Sequence, residues 1–137
     1  MNTYYLRPLT AAEALEKWCT LVEKLSSARK IEAQFQTNID GMHHAYSGAP
    51  KGIRDTPEVQ KLLQTVANPA LSATCQSFRV ADVGAHPHPT IQYTPDESGL
   101  FSRIVLSGIP TPERAIEIIT SLGQYFSFIP RRTFTLE

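Results

Sequence analysis

The stretch TAAEALEKWCTLVEKLSSARKIEAQFQTNIDGMHHAY, Thr10 to Tyr46, decides how the fold of this chain is interpreted. Its apolar residues recur at steps of three and four, which is the spacing of one face of a helix. They are Ala11, Leu15, Trp18, Val22, Leu25, Ala28, Ile31, Phe35, Ile39, Met42 and Tyr46. The spacing predicts one long helix with a single apolar stripe.

The start of this helix is predicted by residues typical of a helix N-terminus. Thr10 is a good N-cap, and Glu13 follows three residues later, which predicts a capping box. A helix unbroken to Ala45 would be about 50 Å long at 1.5 Å per residue, which exceeds the diameter of a domain of this size. We therefore expect the helix either to break, near Ser26 and Ser27 or at Gly41, or to pack its far half on another chain.

The rest of the chain alternates shorter helices and strands. Thr-Pro-Glu sequences at Thr56 and Thr111 predict two further helices, because proline suits the first helical position. Strands are predicted at 3–6, 74–83, 90–94, 101–107 and 131–137. The predicted fold class is α+β, with helices packed on one face of a small antiparallel sheet and an order of roughly β-α-α-β-β-β-α-β.

Length and composition favour one globular domain covering residues 1–137. Thirteen basic residues balance thirteen acidic residues, so no net charge attracts the chain to nucleic acid, and we expect no nucleic-acid partner. No apolar run approaches the roughly 20 residues that span a bilayer, and the first residues do not resemble a secretory signal. The expected location is therefore cytoplasmic, without a membrane partner.

A possible metal site involves the sequence His-Pro-His-Pro. His86 and His88 could face one ion if their segment is a strand, and Asp40 and His44 share a face if theirs is a helix. Together these four residues could bind zinc tetrahedrally. The alternative is that Pro87 and its neighbouring proline only stiffen a loop, with no cofactor bound.

The two cysteines, Cys19 and Cys75, are far apart and show no zinc-binding spacing. We expect buried, reduced thiols without a catalytic role. Arg131 and Arg132 form a basic pair to which Arg103 could contribute, and we expect them to lie on a polar surface.

The leading functional hypothesis is a non-catalytic protein-binding module, such as an adaptor, a chaperone-like protein or an inhibitor. The long apolar stripe would bind another protein or a second copy of the chain, giving a homodimer. The residues expected at this interface, or in the core if the helix breaks and folds back, are Trp18, Val22, Leu25, Phe35 and Met42, with Arg131 and Arg132 at a second, polar surface. Two alternatives stay open: a small metal-dependent enzyme, and a protein that holds a small ligand at a dimer seam.

Overall fold

A computed structural model describes residues 2–48 and 52–129. Three α-helices lie in this part of the chain: α1 (Ala11–Ser26), α2 (Pro57–Ala67) and α3 (Pro112–Leu122). The strands are β1 (Asn2–Leu6), β2 (Ile31–Ile39), β3 (Met42–Gly48), β4 (Ala73–Asp82), β5 (Thr90–Pro95), β6 (Ser102–Ser107) and β7 (Phe128–Ile129). A single 3-10 turn, Ile53–Asp55, precedes α2.

The strands form one antiparallel sheet in the order β3-β2-β4-β5-β6-β1-β7. Residues on one face of the sheet are buried together with the apolar sides of the helices in one core. The predicted α+β class, with helices on one face of an antiparallel sheet, is confirmed. The predicted strand at 131–137 lies outside the described residues.

The expected break of the long helix near Ser26 and Ser27 is confirmed, but the prediction of helix beyond it is wrong. The helix stops at Ser26, and the second half of the stretch is the β2–β3 hairpin, so the order of elements is β-α-β-β-α-β-β-β-α-β. The hairpin turns at Asp40 and Gly41, whose φ angles of 50° and 84° both lie in the left-handed region. Positive φ at both positions of a two-residue loop is the type I′ turn that Asp-Gly favours between paired strands.

Threonine side chains cap the N-terminal ends of α1 and α3, but not that of α2. The Thr10 hydroxyl accepts a hydrogen bond from the amide of Glu13, and the Glu13 carboxylate accepts one from the amide of Thr10, so the predicted capping box is confirmed. Thr111 caps α3 by accepting from the amide of Arg114. The hydroxyl of Thr56 instead donates to the carbonyl of Ile53, so α2 begins without a side-chain cap.

Aromatic side chains fill the centre of the core. The rings of Phe35 and Phe78 are stacked with centroids 6.4 Å apart, and Tyr93 stacks on Phe78 at 5.0 Å. The Tyr93 hydroxyl lies 2.9 Å from the hydroxyl of Ser102, and burial raises the pKa of this phenol. The pairing of these polar groups offsets the cost of burying them beneath the helices. No helix in the described part of the chain is both long and apolar enough to cross a bilayer.

Candidate protein-binding edge

Most of the residues predicted at an interface lie inside the chain. Trp18, Val22 and Phe35 have no exposed surface and belong to the core between α1 and the sheet. Of the two roles expected for these three residues, interface or core, they have the second, because the chain turns back after Ser26 and covers its own stripe. Leu25 is half-buried and packs against the same core.

Met42 is different, because 66% of its surface is exposed. It begins β3, which is one of the two edge strands of the described sheet, the other being the two-residue β7. Exposed methionine side chains are common at protein-binding surfaces because their long, flexible chains adapt to a partner. The prediction that Arg131 and Arg132 form a second surface falls on residues outside the described ranges.

The outer side of β3 offers backbone groups for hydrogen bonding. β3 pairs with β2 from Ile39↔Met42 to Ala33↔Gly48, and no other strand of the described chain pairs with it. A two-residue turn makes the first pair of a hairpin a hydrogen-bonded one, and the pairs alternate from there. The N–H and C=O groups of His43, Ala45 and Ser47 therefore point outward.

The sequence of β3 does little to discourage pairing with another strand. Edge strands are usually protected by lysine, other charged residues or proline, and the segment MHHAYSG, Met42–Gly48, contains none of these. The side chains of β3 are exposed except that of Tyr46, which is half-buried and meets Trp18 edge to face at 5.8 Å. We call the outward side of Met42–Gly48 the β3 edge.

A groove runs between the β3 edge and α2. It has a volume of about 320 Å³, and its apolar lining comes mainly from Ile39, Tyr46 and Leu62. Glu58 and Lys61 of α2 contribute one charge of each sign to the same lining. A strand added to the β3 edge would direct alternate side chains toward this groove, which is how strand-adding domains select their partners.

The four predicted metal ligands lie in two places: Asp40 and His44 in the β2–β3 hairpin, and His86 and His88 in the loop between β4 and β5. Asp40 lies in the hairpin turn, where its carboxylate accepts a hydrogen bond from the amide of Ser72 at 2.9 Å. His44 lies on β3 rather than on a helix, so the helical spacing that linked it to Asp40 is wrong. The described residues contain no group of three or more histidine, cysteine or acidic residues that could bind a metal ion. Zinc binding by Asp40, His44, His86 and His88 is not tested by this result and stays a prediction.

The His-Pro-His-Pro corner lies between β4 and β5. The Nδ1 atom of His88 lies 2.6 Å from the carbonyl oxygen of Ala85, and the rings of His86 and His88 meet edge to face at 5.6 Å. The amide of Asp82 donates to the carbonyl of Pro89 across the base of the corner at 2.9 Å. These contacts hold the corner as a compact loop that leads into β5.

Neither cysteine is suited to act as a nucleophile. Burial raises the pKa of the Cys19 thiol to about 11 and that of Cys75 to about 12. Both residues are free and lie in the core. A thiol with so high a pKa carries almost no thiolate at neutral pH, and the thiolate is the reactive form.

Comparison of the chain with protein-family models, with curated proteins and with solved structures finds no significant match. The function is therefore inferred from the residues and their geometry. Sequence reasoning missed the β3 edge, although the dipeptide Asp40-Gly41 between apolar residues is a strong hairpin signal.

Proposed function

We propose that this protein is a non-catalytic protein-binding module that pairs through the β3 edge with an extended strand, and that a second copy of the chain supplies this strand. The proposal is supported by the edge strand β3, which is seven residues long and contains no charged residue and no proline. Main-chain hydrogen bonds along such an edge supply affinity.

The edge is complementary to itself in the antiparallel direction. If Ala45 lies opposite Ala45 of the partner subunit, the outward backbone groups of His43 face those of Ser47 in the partner, and both strands form the same bonds. In this register Tyr46 lies across from the partner's His44, and no like charges are fixed opposite each other at neutral pH. The uncharged segment and the balanced net charge of the whole chain support self-pairing over pairing with a strongly charged partner.

The described residues support binding rather than catalysis. The two thiols have raised pKa values, and the Nδ1 atoms of His43 and His88 lie within hydrogen-bond distance of Gln76 and of a backbone carbonyl. Buried free cysteines also fit a reducing compartment, and we propose the cytosol as the location.

The proposal is tested by measuring molar mass with light scattering after size-exclusion chromatography. The test variant is Ala45→Pro, which removes the central outward N–H; proline is tolerated on an edge strand where its nitrogen faces solvent. Ala45→Thr is the matched control, since it keeps the N–H and has high strand propensity. We expect a dimer for the wild type and Ala45→Thr, and a folded monomer for Ala45→Pro.

Circular dichroism checks that Ala45→Pro retains the fold. A wild-type protein that is monomeric at all accessible concentrations would refute self-pairing. An Ala45→Pro protein that is folded and still dimeric would refute the β3 edge as the surface.

A further inference from the structure

A second concave surface lies on the helix-covered side of the sheet, between α1 and α3. The middle of α1 contacts the segment that follows α3, because the Lys17 ammonium donates to the carbonyl of Tyr125 and lies 5.4 Å from the centroid of the Phe126 ring. Toward Leu25 and Ile118 the helices leave a cleft of about 350 Å³. This α1/α3 cleft shares no residue with the groove beside β3.

Apolar side chains form most of the cleft. Ile31, Val80 and Ile91, from three neighbouring strands, form its floor, while Leu25 and Ile118 form its two helical walls. The volume is more than twice the ~150 Å³ that suffices to hold a benzene molecule, and it falls within the ~300–1,000 Å³ of small-molecule sites. The cleft therefore has room for an aliphatic chain of moderate length or a two-ring aromatic group.

Charged groups line the cleft unequally. Arg29 and Arg114 contribute two guanidinium groups, and Asp82 contributes one carboxylate. The Asp82 carboxylate is already occupied: one oxygen accepts from Arg29 at 3.1 Å, and the other accepts from the amide of Gly84 at 3.0 Å. Arg114 has no acidic partner within the lining, because its partner Glu117 lies outside it.

Arg114 is available to a ligand. Its bond to Glu117, at 3.0 Å, joins two exposed side chains on the same helix, and pairs of this kind contribute little free energy. A carboxylate at the mouth of an apolar cleft would compete well for the guanidinium, because charge-assisted bonds gain strength where water is partly excluded.

We propose that the α1/α3 cleft binds a small apolar carboxylic acid, with the hydrocarbon part on the floor and the carboxylate on Arg114. A ligand carboxylate that replaces Glu117 on Arg114 favours a monoanion over a neutral molecule of the same shape. This site lies within one chain and does not depend on the β3 edge, whereas the sequence hypothesis of a small ligand at a dimer seam stays a prediction.

The test is a titration of the full-length protein with octanoate, followed by amide chemical shifts. Octanol is the matched neutral ligand, and acetate supplies the charge without the chain. Ile118→Trp fills the cleft, while Ile116→Trp makes the same change at an exposed position of the same helix. Arg114→Gln removes the charge, and Arg79→Gln is its control outside the cleft lining.

We expect octanoate to shift the amides of Ile109 and Ile118 with saturation, and to bind about tenfold more tightly than octanol. Ile118→Trp abolishes this binding and Arg114→Gln weakens it about tenfold, while both control variants bind like the wild type. Equal binding of octanol, or an Arg114→Gln variant with unchanged affinity, would refute recognition of the carboxylate. Absence of saturable shifts around the cleft, or binding unaffected by Ile118→Trp, would refute the site itself.

Discussion

Gly108 lies directly against the carbonyl group of His88. A β-carbon added to Gly108 would stand 2.2 Å from the His88 oxygen, well inside the closest contact that real β-carbons make. The φ angle of Gly108 is +68°, which disfavours other residues by itself. This contact joins the His-Pro-His-Pro corner to the loop before α3, and the next two residues of that loop, Ile109 and Pro110, line the α1/α3 cleft.

Replacement of Gly108 by alanine is therefore expected to destabilise the protein more than the same change at another glycine with positive φ. Gly99 is the matched control, since its φ is +73° and a β-carbon there meets no atom within 4 Å. We expect Gly99→Ala to cost about 1 kcal/mol and Gly108→Ala about 3 kcal/mol or more. Urea unfolding followed by circular dichroism measures both, and equal costs would contradict the close contact.

Trp18 and Met42 both belong to the series of apolar residues between Ala11 and Tyr46, but Trp18 lies in the core and Met42 lies at the surface. Trp18 is fully buried, whereas Met42 is 66% exposed. We expect Trp18→Ala to lower the free energy of unfolding by about 3–5 kcal/mol and Met42→Ala to change it by no more than about 0.5 kcal/mol. Both variants are compared by urea unfolding at one protein concentration. A small effect of Trp18→Ala would contradict the placement of this side chain in the core.

The start of α1 is expected to lose stability in acid. The side-chain bond from Arg7 and the amide of Thr10 lower the pKa of Glu13 from 4.5 to about 2. Because the folded protein holds this proton less tightly than the unfolded chain, the stabilisation is present above pH 4.5 and disappears as the pH falls toward 2. Its size is about 1 kcal/mol or less, since the pair is partly exposed.

Unfolding measured between pH 6 and pH 2 tests this account of Glu13. Glu13→Gln should flatten the acid dependence, and Arg7→Gln should flatten it to a similar degree because it removes the largest cause of the pKa shift. An acid dependence that is identical in wild type and both variants would contradict the coupling of Arg7 and Glu13.

The spacing of apolar residues in 31–46 is ambiguous, because it fits a strand as well as a helix. Residues four apart share a face in a strand as well as in a helix, so Ile31, Phe35 and Ile39 fit both patterns. The intervening Ala33 and Thr37 complete the alternation of β2, whose inner face is buried throughout. Counting these two residues, together with Asp40-Gly41, would have favoured the hairpin. The helix starts were predictable because capping depends on residues within one turn.

The candidate site was harder to predict, because it depends on contacts distant in sequence. Phe35 and Met42 belong to the same apolar pattern, yet β4 and α1 cover the first while the second lies at the sheet edge. Which strand becomes outermost follows from the pairing of β2 with β4, some forty residues along the chain. In the same way, nothing near His86 in the sequence indicates that its corner packs against Gly108.

Pairing of two copies through β3 makes a specific prediction for amide hydrogen exchange measured at several protein concentrations. The amides of His44 and Tyr46 bond to β2 and serve as internal controls, since their protection should not require a second copy. If two copies pair through β3, the amides of His43, Ala45 and Ser47 become protected as concentration rises and exchange rapidly on dilution. Rapid exchange of these three amides at every concentration, with His44 and Tyr46 protected, would contradict this pairing.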